Sequence, residues 1–154
     1  MLNGSLFQNN SLMKSLYLGF NEISILPANL FSSFSVLRDL ILFYNALSQF
    51  PFYSPFLRNL LSLDLSHNNI SIIAINSTLV NLEYLSLSDN YITQITPRSL
   101  SSFKKLRFLY LSNNNISYVD PDTHALWGNI SILNMQTNPS VCYAALPLIA
   151  EVNH

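Results

Sequence analysis

The 154-residue chain has a single cysteine, Cys142. That count excludes an internal disulfide and a cysteine-built zinc cluster, while one thiol assigns no redox compartment. Charge is also scarce. Asp, Glu, Lys and Arg make up 10% of the residues, against about 25% in an average soluble domain. The net charge is -1, neither the basic footprint of a nucleic-acid binder nor the acidity of a solvating tail. No apolar run approaches the roughly 18–20 residues needed to cross a bilayer. The longest candidate, Val141 to Ala150, is broken by Pro147, so no membrane insertion is expected from this segment. The opening stretch MLNGSLFQNN lacks a basic region followed by an apolar one, so it does not read as a signal peptide.

What the chain does have is apolar residues, 49% of the total, in a length that suits one domain with a continuous core. Their arrangement is periodic. The stretch LRFLYLSNN, from Leu106 to Asn114, has apolar residues at its first, fourth and sixth places and asparagine at its ninth. The same template recurs as MKSLYLGFN from Met13, LRDLILFYN from Leu37, LLSLDLSHN from Leu60, LEYLSLSDN from Leu82 and ISILNMQTN from Ile130. Successive starts are separated by 24, 23, 22, 24 and 24 residues. Each copy ends on its asparagine: Asn21, Asn45, Asn68, Asn90, Asn114 and Asn138.

Alternation such as Leu109-Tyr110-Leu111 predicts a short strand with leucines inward and the middle residue outward. After the strand the chain must turn, which leaves backbone groups inside the coil without a ladder partner. An amide carries two donor hydrogens and an acceptor, so the six asparagines are expected to satisfy such groups within their own turn and the next one. Beyond each asparagine come Ile23, Leu47, Ile70, Ile92 and Ile116, then Leu26, Phe50, Ile73, Ile95 and Val119. Phe31 with Phe34, Leu100 with Phe103, and Leu126 with Trp127 supply a core spine on the return side; His124 is expected to fill a place in it. Pro27, Pro51, Pro97 and Pro121 favour an irregular or extended return path over long helices.

This LxxLxLxxNxI pattern resembles the leucine-rich repeat family, and the resemblance covers nearly the whole chain. It implies a right-handed α/β solenoid with a parallel concave β-sheet and an irregular or 3-10 convex side. The expected organisation is a single domain. Residues 1–12 form the second half of a truncated repeat, 13–36, 37–59, 60–81, 82–105 and 106–129 are full repeats, and 130–154 are the last repeat with a closing segment. Complete terminal caps are not expected. NPSVCY (138–143) resembles the start of a cysteine-rich cap but supplies only Cys142, and Ala144 to Val152 would close the coil as a short helix or strand. Self-association through uncapped ends is an open alternative.

The resemblance also implies that a ligand meets the concave sheet, at the third, fifth, seventh and eighth places of each template. There the first two repeats present Tyr17, Phe20, Phe43 and Tyr44, beside Ile41. The middle repeats present Asp64, Ser66, His67, Ser86, Ser88 and Asp89. Tyr84, Phe108 and Tyr110 form a second aromatic group, and the last repeat adds Asn134 and Gln136. Exposed aromatics are typical of protein-protein hot spots, so a protein or peptide ligand is expected. His67 and Asp89 occupy the same place in successive repeats and are expected to pair. With Ser66 and Ser88 they superficially match a nucleophile, base and acid. They project from a flat sheet with no elbow, oxyanion hole or pocket, so no enzyme activity is expected. One imidazole is a thin ligand set, so no metal and no cofactor are expected. Lys104, Lys105 and Arg107 are too few for a nucleic-acid footprint.

Six N-glycosylation sequons begin at Asn3, Asn9, Asn69, Asn76, Asn115 and Asn129. Asn69 and Asn115 share one place in their repeats, where the side chain should point outward. Few charges and many surface Ser and Asn residues suit a glycosylated, extracellular or cell-surface receptor-like protein. Two alternatives remain open: an intracellular scaffold or adaptor, and a ligand-sensing fragment of a larger receptor kinase.

Overall fold

The computed structural model describes residues 2–49, 55–73, 78–139 and 152–153. Phe50, Pro51, Asn76, Cys142, the side chain of His124 and all but the last residue of the segment from Ala144 to Val152 lie outside the described residues.

In chain order the strands are β1 (Ser15–Tyr17), β2 (Asp39–Ile41), β3 (Ser62–Asp64), β4 (Tyr84–Ser86), β5 (Gln94–Ile95), β6 (Phe108–Tyr110), β7 (Tyr118–Val119), β8 (Ile132–Asn134) and β9 (Val152–Asn153). Seven of them form one parallel sheet in the order β1-β2-β3-β4-β6-β8-β9. Its register aligns the central leucine of each template, Leu16 with Leu40, Leu63, Leu85, Leu109 and Leu133. All six are buried, because alternate residues of a strand point to opposite faces. The leucine face is closed by the return segments, so the other face is left open. Parallel sheets usually have both faces covered by helices. This one does not.

The return path contains short helices instead of long ones: 3-10 turns over Pro55–Asn59 and Pro121–Asn129, and the one-turn α1, Pro97–Leu100. Pro97 and Pro121 open their helices rather than forcing extended chain. A first-turn position has no intrahelical partner for an N–H, so proline loses nothing there. The Asp120 carboxylate accepts from the Asp122 N–H at 2.9 Å and caps the second 3-10 turn. Inside that turn the Trp127 Nε1–H donates to Thr123 Oγ1, which donates to the Asp120 carbonyl; both side chains are fully buried and satisfied. Phe31, Phe34, Leu100 and Phe103 are buried in the same continuous core, while Leu126 is only partly buried. β5 and β7 pair as a second, two-stranded parallel sheet.

The asparagines join the coils. The Asn90 amide donates to the carbonyls of Leu87 and Ser88 in its own turn and of Leu65 in the preceding coil. Its Oδ1 accepts from Ile70 N–H, again in the preceding coil. Asn45, Asn68 and Asn114 repeat the pattern toward Leu18, Leu42 and Leu87, and Asn138 toward Leu111. The direction corrects the expectation drawn from the sequence, since the second set of bonds runs back to the previous turn and not on to the next. Asn21 shows the consequence. Among the described residues it reaches only Leu18 and Gly19 in its own turn and is exposed, whereas Asn68, Asn90 and Asn114 are 4%, 6% and 9% exposed.

The residue before each asparagine is left-handed. Phe20, Tyr44, His67, Asp89, Asn113 and Thr137 have φ between 49° and 58°. This conformation costs a non-glycine residue about 1–2 kcal/mol. It is the turn that swings the next side chain into the coil, so the asparagine bonds offset the strain.

Candidate functional site

The left-handed column is also the most organised feature of the open face. Phe20 stacks on Tyr44 with ring centroids 4.9 Å apart and planes at 9°. Tyr44 stacks on His67 at 3.9 Å and 7°. His67 Nε2 then lies 3.4 Å from Asp89 Oδ2, and Asn113 Nδ2 donates to Asp89 Oδ1. Five consecutive repeats are thereby linked, side chain to side chain, along one line. Phe43 meets Phe20 and Tyr44 edge-on and lies over Gly19, where a Cβ would come within 2.6 Å of its ring. Tyr17 and Phe20 are 71% and 72% exposed and Tyr44 is 47% exposed, a large apolar area for one end of a small coil.

The second aromatic group is less open. Tyr84 and Tyr110 sit 5.4 Å apart, and the Arg107 guanidinium lies 5.6 Å from the centre of the Phe108 ring. Ser86, expected at the surface, is buried at 6% exposure. It stands in register between Asp64 and Tyr110, and these bulkier neighbours, with Tyr84, close over its small side chain. Burial raises the Tyr84 phenol above its ordinary pKa. The Asp64 carboxylate and Tyr110 act in the same direction, and the hydrogen bond with Ser86 partly opposes them.

The polar residues are tied to one another. Asp39 accepts from Ser15 Oγ at 2.7 Å. Asp64 accepts from the N–H and Oγ of Ser66, and Ser112 Oγ donates to Ser88 Oγ. Ser66 Oγ is thus engaged with Asp64, and Ser88 Oγ accepts from Ser112.

Asn69 and Asn115 are exposed at equivalent places, as the repeat requires, and Asn129 is exposed as well. The Asn129 amide also donates to the Lys104 carbonyl at 3.2 Å. Asn59 and Asn81 do the same toward Ser35 and Arg58. This second asparagine series escaped the sequence reading. Its signal was present, an asparagine directly before the first apolar residue of three templates. Among the described residues, no helix is long and apolar enough to cross a membrane.

Stacked short coils with one bare sheet face are the architecture of a protein-interaction module. Residues 74–116 match a leucine rich repeat family model and residues 56–71 a second one. The chain belongs to the leucine-rich repeat family. It is similar to an adenylate cyclase of Schizosaccharomyces pombe, 32% identical over 136 residues that cover 86% of this chain and 8% of that protein. Among solved structures it resembles the Drosophila Toll–Spatzle complex in its glycosylated form, with a TM-score of 0.77 and 28% identity over 87% of this chain and 18% of that one. It also resembles the TLR13–ssRNA13 complex, with a TM-score of 0.68 and 26% identity over 89% of this chain and 23% of the other. The chain spans less than a quarter of each of these proteins. The last complex contains an RNA, so the exclusion of nucleic acid expected from the charge finds no support in these comparisons.

Proposed function

We propose that this chain is a non-catalytic recognition module that binds a protein or peptide across its concave sheet, within a cell-surface or secreted receptor-like protein. The observation that carries the reading is the stacked series Phe20–Tyr44–His67, lying open beside Tyr17. Rings already fixed by stacking lose little freedom on binding and bury much area, which is why aromatics dominate interface energetics. Strand carbonyls and the asparagine series hold the scaffold beneath them, so the face is preorganised. The neighbouring Toll structure contains a protein partner, in keeping with this use of the fold. Asp39, Asp64 and Asp89 on the face would repel phosphates, which favours a protein over a nucleic acid.

Exposed sequons at Asn69 and Asn115 support the secretory location, as does the glycosylated state of the Toll neighbour. Expression in a eukaryotic secretory system should give a mass that falls on enzymatic deglycosylation; an unchanged mass favours the intracellular adaptor. For the binding face, peptides selected from an unbiased displayed library should lose binding to Tyr17→Ala/Tyr44→Ala, a variant that keeps its melting temperature. Selected peptides that bind the variant as well as the parent would move the site off this face.

A further inference from the structure

We infer that the segment bound on the concave sheet is an extended peptide with arginine or lysine at alternate positions. This rests on the recognition reading above and adds the ligand's chemistry to it. The outward places of the six templates hold three carboxylates, Asp39, Asp64 and Asp89, and no lysine or arginine. Lys14, Arg38 and Arg107 stand one place ahead of the strands, level with Glu83, at the rim where the sheet begins. Among the described residues the one side-chain ion pair is His67 with Asp89. Asp39 and Asp64 are held only by neutral donors from serines. The open face therefore presents three carboxylates that, among the described residues, make no ion pair with a lysine or arginine.

The carboxylates are also ordered. Asp39 occupies the third template place of its repeat, Asp64 the fifth of the next and Asp89 the eighth of the one after. Asp39 and Asp64 lie on a diagonal of the sheet, and Asp89 stands past the end of β4. With strands about 4.8 Å apart and residues about 3.3 Å apart along each strand, the step from Asp39 to Asp64 is about 8 Å and that from Asp64 to Asp89 about 11 Å. Alternate side chains of an extended peptide are about 7 Å apart on one side, and the long stems of arginine and lysine absorb the difference. Tyr17 and Phe20, both largely exposed, flank the start of this diagonal, so a cation there can meet a ring face as well as a carboxylate. An anionic ligand would have to place like charges against all three carboxylates.

The probe is a fluorescein-labelled peptide alternating arginine with threonine, titrated against the intact chain and read by anisotropy. One control replaces arginine with glutamate, another gathers the same arginines at one end, and a third is a labelled single-stranded RNA. The alternating peptide should bind best and weaken with added salt. Asp39→Asn and Asp64→Asn should each weaken it about two- to fivefold, the range of an exposed ion pair, and the triple variant with Asp89→Asn about tenfold. The amides keep the oxygen that accepts from serine, so melting temperatures should not change. Equal binding of the clustered peptide, preference for the glutamate peptide or the RNA, or indifference to the triple variant would overturn the inference. Library-selected peptides separate the two levels. If they depend on Tyr17 and Tyr44 yet lack basic residues, the cationic ligand is wrong and the recognition reading stands; if none depends on those tyrosines, both fail.

Discussion

Two adjacent columns run the length of this solenoid and differ in almost every respect. One is asparagine in every repeat, and from Asn45 to Asn138 each is turned inward and bonded to two coils at once. Its neighbour in sequence holds Phe20, Tyr44, His67, Asp89, Asn113 and Thr137, turned outward and different each time. The backbone conformation is the same in all six. Repetition in the first column therefore answers a demand every coil makes, whereas the second column satisfies only the backbone, and its side chains are free to carry recognition.

The sharpest break between the columns is Asn90→Leu against Asp89→Asn. Leucine at 90 removes the donors to Leu65, Leu87 and Ser88 and the acceptor for Ile70 N–H. An orphaned buried group costs about 1–3 kcal/mol, so urea unfolding should show at least that loss. Asp89→Asn should stay within about 0.5 kcal/mol, as surface substitutions do. Asn21→Leu should resemble Asp89→Asn rather than Asn90→Leu, because Asn21 bonds only its own turn. Equal losses at 21 and 90 would mean that the link between coils contributes nothing.

The same contrast explains what could be read in advance. Spacing located the six strands and the buried leucines because one inward leucine per coil is a packing requirement that permits no substitute. It also paired His67 with Asp89, since equal template places become neighbours. The left-handed column was not legible, because Phe, Tyr, His, Asp, Asn and Thr share no preference for positive φ and the conformation is imposed by the turn. Stacking of Tyr44 on His67 depends on rotamers, which a template place does not specify. Ser86 was misjudged for a related reason, as its outward direction was legible but the closure of Tyr84 and Tyr110 over it was not. The direction of the asparagine bonds, back to the preceding coil, depends on how successive coils are offset, which periodicity does not reveal.

A gain of stability offers a milder test of the outward column. Thr137 is the β-branched member, at φ 58°, and β-branched residues fit the left-handed region worst. Thr137→Asn should raise stability by about 0.5–1 kcal/mol, because asparagine visits this region readily. Thermal unfolding would show it as a higher midpoint. No change would mean that the turn is not strained at this position.

The smallest effect tests whether outward side chains contribute to folding at all. Burial chiefly, with Asp64 and Tyr110 adding, holds the Tyr84 phenol above its ordinary pKa. As pH rises past the value of the unfolded chain, near 10, the unfolded state gives up this proton first. The native state keeps it until its own raised pKa is reached. Across that window the native state binds more protons, so stability falls as pH rises and is intact below it. Tyr84→Phe removes this contribution, and its urea midpoint should decline less than the parent's between about pH 9 and about pH 11. Asp64→Asn should flatten the decline less than Tyr84→Phe does, since burial and not the carboxylate is the larger cause. Parallel declines in the parent and Tyr84→Phe would show that the phenol is as free as if the sheet face were flat, and that the outward columns take no part in stability.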